Sequence, residues 1–287
     1  MNDTPLRRFS YFPGCSLATT AQENNASLIR FFQLLGIELR ELTDWNCCGS
    51  SSLHCIDTKS SVMLPARNLA LAPPDRPLLV ACPNCLLRLQ TAQVTIGNDA
   101  AMQASYQKIF KRTFDPGLEI LHVFDLLDQL GQRRMAERVV RRLDGLRIAA
   151  YYGCMLARPP ALRHHKSHQG VMENILRRTG AQPVTWSYAS RCCGTFLSVV
   201  RPELVTAMVN DIVAGAQTFE ADCIVTACAM CHLNLEVRCT LPQPIPILHF
   251  SELLAMAAGD MESEAWFARH LIDPRPLLKK IGILAPR

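Results

Sequence analysis

Asn46-Cys47-Cys48-Gly49 returns, 145 residues on, as Arg191-Cys192-Cys193-Gly194, and the architecture is read outward from this pair. Upstream of the first copy, Cys15 lies 32 residues before Cys47; downstream, Cys82-Pro83-Asn84-Cys85 begins 34 residues after Cys48. Upstream of the second copy, Cys154 lies 38 residues before Cys192; downstream, Cys228-Ala229-Met230-Cys231 begins 35 residues after Cys193. Ten of the 13 cysteines therefore obey one spacing twice, which chance does not produce. The flanks repeat as well. Tyr11-Phe12-Pro13-Gly14 precedes Cys15 as Tyr151-Tyr152-Gly153 precedes Cys154, and Leu79-Val80-Ala81 precedes Cys82 as Val225-Thr226-Ala227 precedes Cys228. Ile120-Leu121-His122-Val123-Phe124-Asp125-Leu126-Leu127 is matched by Ile247-Leu248-His249-Phe250-Ser251-Glu252-Leu253-Leu254. Matched blocks stand 127 to 146 residues apart, the period of a duplicated domain and not of a short solenoid repeat.

Within each copy, short apolar runs alternate with helical patterns. Arg147–Tyr152 and Cys223–Thr226 read as buried strands ending at or next to a cysteine. Gly36 and Gly180 read as residues that end helices over Ala21–Leu35 and Val171–Arg178. This alternation predicts α/β units, each with a small, mostly parallel sheet flanked by helices. The expected layout is a first domain over 8–131, a linker over 132–147, a second domain over 148–262 and a C-terminal tail over 263–287. Sites in such folds form beyond the carboxyl ends of strands, where Cys15, Cys82, Cys154 and Cys228 fall.

With 287 residues, 49% of them apolar and 19% charged, and a mean hydropathy of +0.08, the chain has the composition of a globular protein able to bury a full core. Disulfides are not needed as staples. Residues 1–10 contain no apolar secretory core, and no apolar stretch approaches the ~18 residues of a membrane span. An odd cysteine count without an export signal points to a reducing cytoplasm, and to metal as the first use for the thiols. A net charge of +5 is too mild to argue for nucleic acid, and no aromatic or groove-reading feature accompanies it.

The spacing has chemical logic. Pro83 suits the first turn of a helix, where its missing donor would be orphaned in any case. Cys82 and Cys85, three apart at that helix start, can face one metal site, and the helix dipole with its free amides favours thiolates there. Adjacent cysteines such as Cys47 and Cys48 point differently, so they suit two irons of one cluster better than a single ion. Gly49 and Gly194 allow close backbone approach or a positive φ beside them. Five thiols per half exceed the four that tetrahedral zinc or an ordinary cubane cluster takes.

On these ten residues the chain resembles the CCG-domain (cysteine-rich domain) family, in particular the B-type subunits of heterodisulfide reductases and their homologues. The likeness spans about residues 8–260. It implies two non-cubane [4Fe-4S] clusters, one held by Cys15, Cys47, Cys48, Cys82 and Cys85, the other by Cys154, Cys192, Cys193, Cys228 and Cys231. It also implies two tandem CCG domains related by pseudo-twofold symmetry, with the clusters face to face and a disulfide handled between them. No C-x2-C-x2-C-x3-C run is present, so the resemblance further implies a separate ferredoxin-like C-type subunit and a flavin-containing A-type subunit as partners. The substrate class is a disulfide, a thiol or a lipoyl carrier, as in sulfur oxidation. The competing expectation is an electron-transfer subunit of a flavin-linked dehydrogenase of the lactate or glycolate oxidase type.

Other readings account for fewer of these residues. Structural zinc leaves a fifth thiol unused. A thioredoxin-type dithiol at Cys82–Cys85 does not explain Cys15 or Cys47-Cys48. Cys228-Ala229-Met230-Cys231-His232 matches c-type haem attachment, which requires export and has no histidine in the first copy. Cys55, Cys223 and Cys239 read as buried thiols, Cys55 close in sequence to the first set. His164, His165 and His168 read as a solvated helix start. His122 and His249 read as core or capping residues. Arg133, Arg134, Arg138, Arg141, Arg142 and Arg147 read as the solvated face of a linker helix, with docking of an acidic partner as the sharper alternative.

Overall fold

The computed structural model of the chain describes residues 7–50, 52–157, 168–260 and 263–285. The first half runs β1 (Arg7–Phe12), α1 (Cys15–Ala18), α2 (Gln22–Leu34), β2 (Ile37–Glu41), α3 (Leu53–Ile56), α4 (Thr58–Leu71), β3 (Leu78–Val80), α5 (Pro83–Gly97), α6 (Ala100–Phe110), β4 (Ile120–His122) and α7 (Val123–Ala136). The second half repeats the plan: β5 (Arg147–Tyr151), α8 (Gly153–Ala157), α9 (Val171–Arg178), β6 (Gln182–Pro183), a 3-10 turn (Thr195–Leu197), α10 (Pro202–Thr218), β7 (Cys223–Thr226), α11 (Ala229–Arg238), β8 (Ile247–His249) and α12 (Phe250–Ala257). Two short helices follow, α13 (Ser263–Phe267) and α14 (Arg275–Lys280).

The strands form two four-stranded sheets of identical order, β2-β1-β3-β4 and β6-β5-β7-β8. Every pairing is parallel, for example Tyr11 with Leu79 and Ala150 with Val225. The inner strands show why. Leu78-Leu79-Val80, Ile148-Ala149-Ala150-Tyr151 and Cys223-Ile224-Val225-Thr226 are buried throughout, as parallel strands covered by helices on both faces must be. Pro183 sits on an edge strand, where its missing donor leaves no ladder bond unmade. In both sheets the strand order reverses at the first strand: its successor lies on one side and the third strand on the other. The crevice beyond the carboxyl ends of β1 and β3, and of β5 and β7, is the place where such folds build sites.

The halves are related reciprocally. Helix α2 of the first half packs on α12 of the second, while α9, the counterpart of α2, packs on α7, the counterpart of α12. A twofold relation generates this exchange of partners. One apolar core crosses the contact, with Leu28, Phe31 and Phe32 of α2, Phe124 of α7, and Phe250 and Leu253 of α12 all buried. The Phe124 and Phe250 rings lie 4.8 Å apart. Polar groups at the contact are paired: Ser27 Oγ with Ser251 Oγ at 2.6 Å, and the Arg30 guanidinium with Asp260 at 2.8 Å. Residues of the C-terminal segment join this core through Trp266, Phe267 and Leu278.

Three sequence readings are corrected. His168 is buried, not solvated: its Nε2 lies 2.8 Å from Asp125 Oδ1, a side-chain hydrogen bond of the half–half contact that a single-chain pattern cannot reveal. His164 and His165 lie outside the described residues. The arginine-rich segment is not a linker helix, because α7 ends at Ala136. Beyond it the N–H groups of Val140 and Arg141 both donate to the Ala257 carbonyl at the end of α12, at 2.8 and 2.9 Å. That tertiary contact offers these groups a partner outside a helix. Arg142 pairs with Asp144 and Arg147 with Glu220; the side chains of Arg133 and Arg134 lie outside the described residues. Cys55 is exposed on the single turn α3, which buries none of its residues, and Cys239 is half-buried; only Cys223 is fully buried as expected.

Candidate functional site

The first five-thiol set is assembled by three elements of the first sheet. Cys15 opens α1 just after β1, Cys82 is the N-cap of α5 just after β3 with Cys85 in its first turn, and Cys47-Cys48 sit in the loop after β2. Pro83 occupies the first turn of α5, as its chemistry demands. All five thiols line one cavity of about 410 Å³. Cys47 and Cys15 have their sulfurs 3.7 Å apart, Cys48 and Cys85 3.1 Å. The second set repeats the arrangement with Cys154 in α8 after β5, Cys192-Cys193 after β6, and Cys228 and Cys231 at the start of α11 after β7, all around one smaller cavity. Cys193 and Cys231 have their sulfurs 3.4 Å apart. Every cysteine is a free thiol.

The electrostatics of both sets follow from crowding. Cys47 is pulled far down, first by its hydrogen bonds with the sulfurs of Cys15 and Cys48, with the Gly49 N–H at 3.5 Å adding to this. Cys192 is lowered to about 6 by the Cys154 thiol against the effect of burial, with help from the Gly194 N–H at 3.3 Å. Their partners move the other way: Cys15 and Cys154 are raised, first by the hydrogen bond each shares with Cys47 or Cys192 and then by burial. Cys82 is lowered, chiefly by the Cys85 thiol and also by the free N–H groups of Cys85 and Asn84 at the start of α5. Cys193 is lowered by the Cys231 thiol. Both sets thus contain thiols pushed down beside thiols pushed up, because like charges this close oppose one another. A cationic centre removes that opposition, since a coordinating thiol is deprotonated outright. Soft thiolate donors in this number fit zinc or an iron–sulfur cluster, and the fifth donor favours the cluster.

Two glycines shape the sites. Gly14 has φ 77° and ψ 163°, and a Cβ there would lie 2.9 Å from Cys85 Sγ. Gly153, its counterpart, has φ 66° and would bring a Cβ to 3.1 Å from Cys231 Sγ. Both approach the last cysteine of their own set. Gly49 and Gly194 also take the positive φ that their position beside the paired cysteines suggested.

The two cavities share walls. Asn84, Thr195, Phe196 and Met230 line both. The Ser16 hydroxyl, next to Cys15, donates to Met230 Sδ at 2.7 Å, next to Cys231. Phe196, Leu197, Val199 and Val200 stand exposed at this edge, Val199 at 89%. Sequence reasoning missed these wall residues; the available signal was their adjacency to cysteines within the repeat. His122 and His249 are absorbed by the scaffold. His122 Nδ1 accepts from the Phe124 N–H at 3.2 Å and its Nε2 meets the Ala81 carbonyl at 3.1 Å. His249 caps α12 in a capping box with Glu252. No described helix is long and apolar enough to cross a membrane.

Comparison with known proteins agrees with this geometry. The cysteine-rich domain (CCG) family matches the chain twice, over residues 9–90 and 148–236. The 8-methylmenaquinol:fumarate reductase membrane anchor subunit of Wolinella succinogenes is 30% identical over 94% of this chain and 99% of its own length. The B-type subunit of the ferredoxin/F420H2-dependent CoB-CoM heterodisulfide reductase of Methanosarcina acetivorans is 25% identical over 96% of this chain and 97% of its own. Among solved structures, a hypothetical protein from Helicobacter pylori superposes with a TM-score of 0.72 at 14% identity. That match covers 93% of this chain and 52% of the Helicobacter chain, so this chain spans about half of it, and the likeness concerns the fold alone.

Proposed function

The chain belongs to the cysteine-rich (CCG) domain family, and from that premise we propose that it is the catalytic iron–sulfur subunit of a heterodisulfide reductase-like complex. Cys15, Cys47, Cys48, Cys82 and Cys85 would hold one [4Fe-4S] cluster, and Cys154, Cys192, Cys193, Cys228 and Cys231 the other, both of the non-cubane type. When bound, each cluster supplies one-electron transfer, so that two electrons and two protons convert one disulfide into two thiols, or the reverse. The observation that carries this reading is the common wall: Asn84, Thr195, Phe196 and Met230 border both sites, so one sulfur–sulfur bond placed there meets both.

The chain's own groups have defined tasks in that reading. Asn84 and Thr195 offer hydrogen bonds that fix the substrate's orientation at the wall, and Ser16 holds Met230 between the two sites. Phe196 and Val199 exclude water and give an apolar surface to the alkyl arm of a lipoyl or similar carrier. The exposed Leu197 and Val200 beside them would meet the protein that delivers it. The A-type flavin subunit and C-type ferredoxin-like subunit would exchange electrons with the clusters. A second reading is favoured by the 30% identity to the Wolinella subunit: the same ten cysteines would then relay electrons between a quinol and a flavin-linked dehydrogenase without touching a disulfide.

The deciding measurement is iron and acid-labile sulfide on anaerobically purified protein, with electron paramagnetic resonance during titration with thiols. Two clusters' worth of iron and a thiol-dependent paramagnetic signal are expected. Full iron without a thiol response, but with oxidation of a quinol in the assembled complex, replaces the first reading with the second. Zinc at the cysteines without sulfide ends both. Cys193→Ala should lose about half of the iron, that of the second set alone; unchanged iron content would remove the ligand assignment.

A further inference from the structure

Helix α11, which opens at Cys228 and carries Cys231 in its first turn, presents a second set of donors that begins at the next residue, His232. His232 and Glu236 stand at i and i+4 on that helix, and His270, from the segment between α13 and α14, meets them. Their side chains are 4%, 6% and 1% exposed. One donor atom from each, His232 Nε2, a Glu236 carboxylate oxygen and a His270 nitrogen, lies within 4.8 Å of the other two. Glu236 Oε1 is 3.1 Å from His270 Nδ1 and 3.7 Å from His232 Nε2. These two edges lie near the edge of about 3.3 Å expected between ligands of a tetrahedral ion with bonds of about 2.0 Å, and the third, from His232 to His270 and up to 4.8 Å, closes by side-chain adjustment when an ion binds. His270 Nδ1 also lies 2.9 Å from the Ile247 carbonyl oxygen, which accepts from it when no ion is bound.

An independent observation points into this space. His232 Nε2 is buried and has no hydrogen-bond partner, and Asn24 Oδ1 is buried without one as well. The Asn24 amide nitrogen lies 2.7 Å from His232 Nδ1. Turning that amide over puts Oδ1 on an Nδ1–H and leaves the Nε2 lone pair aimed at Glu236, because amide orientation and tautomer are set by the surrounding network. His270 shows the same logic. Its Nε2 lies 3.0 Å from Glu252 Oε1, whose other oxygen accepts the His249 N–H at 2.7 Å. Metal-binding histidines are oriented in this way, with the distal nitrogen donating to an amide or carboxylate oxygen. Charge supports the same conclusion. The two buried carboxylates Glu236 and Glu252 face these imidazoles, and a divalent cation offsets their two negative charges with both imidazoles neutral.

We infer that His232 Nε2, Glu236 and His270 Nδ1 form a closed structural site for a zinc-type divalent cation, oriented by Asn24 and Glu252. It staples α11 to α2 of the first half and to the C-terminal segment, and so fixes the helix that presents Cys228 and Cys231. The site is separate from the ten cysteines and does not depend on what they hold.

The test uses the full chain, purified anaerobically from zinc-replete cells with its iron retained and briefly exposed to a chelator. About one zinc per chain is expected, with a zinc-edge absorption first shell of nitrogen and oxygen near ~2.0 Å and no sulfur near ~2.3 Å. Glu236→Gln and His270→Gln should each cut zinc at least tenfold while iron and sulfide stay unchanged. A sulfur-containing zinc shell in the wild-type protein, no retained zinc, or zinc unaffected by both substitutions would overturn the inference. The absorption measurement is made on the unaltered protein, so it decides the matter even where a variant fails to fold.

Discussion

At the residue scale, Gly14 is the most demanding position near the cysteines. Its φ of 77° with ψ of 163° belongs to a region that only glycine occupies at low cost. An added Cβ would also press to 2.9 Å on Cys85 Sγ, a separation at which something must move. Gly14→Ala should therefore cost about 1–3 kcal/mol and, on the proposed ligand assignment, release the iron that the first set would hold, while Gly153→Ala, with 3.1 Å of clearance from Cys231 Sγ, should retain more of that of the second. Iron and sulfide analysis of the two variants checks the order; equal retention would show that sulfur crowding at Gly14 is unimportant. The ten cysteines were legible in the sequence because thiols are rare and their spacing repeats. Asn84, Thr195, Phe196 and Met230 were not, because ordinary residue types acquire a role only when folding brings two loops to one wall.

At the element scale, the contact between α7 and the segment before α9 includes the pair of the half-buried Asp125 and the buried His168. Burial opposes the Asp125 charge, yet His168 and the His122 N–H, which donates to Oδ2 at 2.7 Å, prevail and hold the carboxyl below its ordinary value of 3.8. A depressed carboxyl stabilises the fold above its unfolded pKa, and that contribution is lost as pH falls through the folded value. Asp125→Asn should thus cost about 1–3 kcal/mol at neutral pH. Its deficit against the wild type should shrink below about pH 4. Paired urea midpoints from pH 7 to pH 3 test this; a deficit that stays constant would mean that the carboxylate charge plays no part. Strands and long helices were readable from periodicity, including β5, β7, α2 and α9. The end of α7 was not, because the N–H groups of Val140 and Arg141 are claimed by the Ala257 carbonyl of the other half, and no local pattern announces a partner so distant in sequence.

At the scale of the whole molecule, duplication raises the question of whether the halves are independent. The core answers it. Leu28, Phe31, Phe32 and Phe124 of the first half share one buried cluster with Phe250, Leu253 and Phe267 of the second, so neither half covers its own apolar face. The chain should unfold in one transition, with far-ultraviolet dichroism and the absorbance of the proposed clusters changing together. Phe250, fully buried with its ring 4.8 Å from that of Phe124, is the place to test this. Phe250→Ala should cost roughly 3–5 kcal/mol through lost burial and the cavity left behind. The discriminating experiment places it in the Cys193→Ala background, where, on the proposed ligand assignment, any remaining iron would belong to the first set. If the core is common property, Phe250→Ala lowers the denaturant midpoint at which that first-half iron is lost, although the substitution lies in the second half. If the halves are independent, the iron midpoint stays where it was while dichroism splits into two steps, and the shared core would then be a matter of contact without cooperativity.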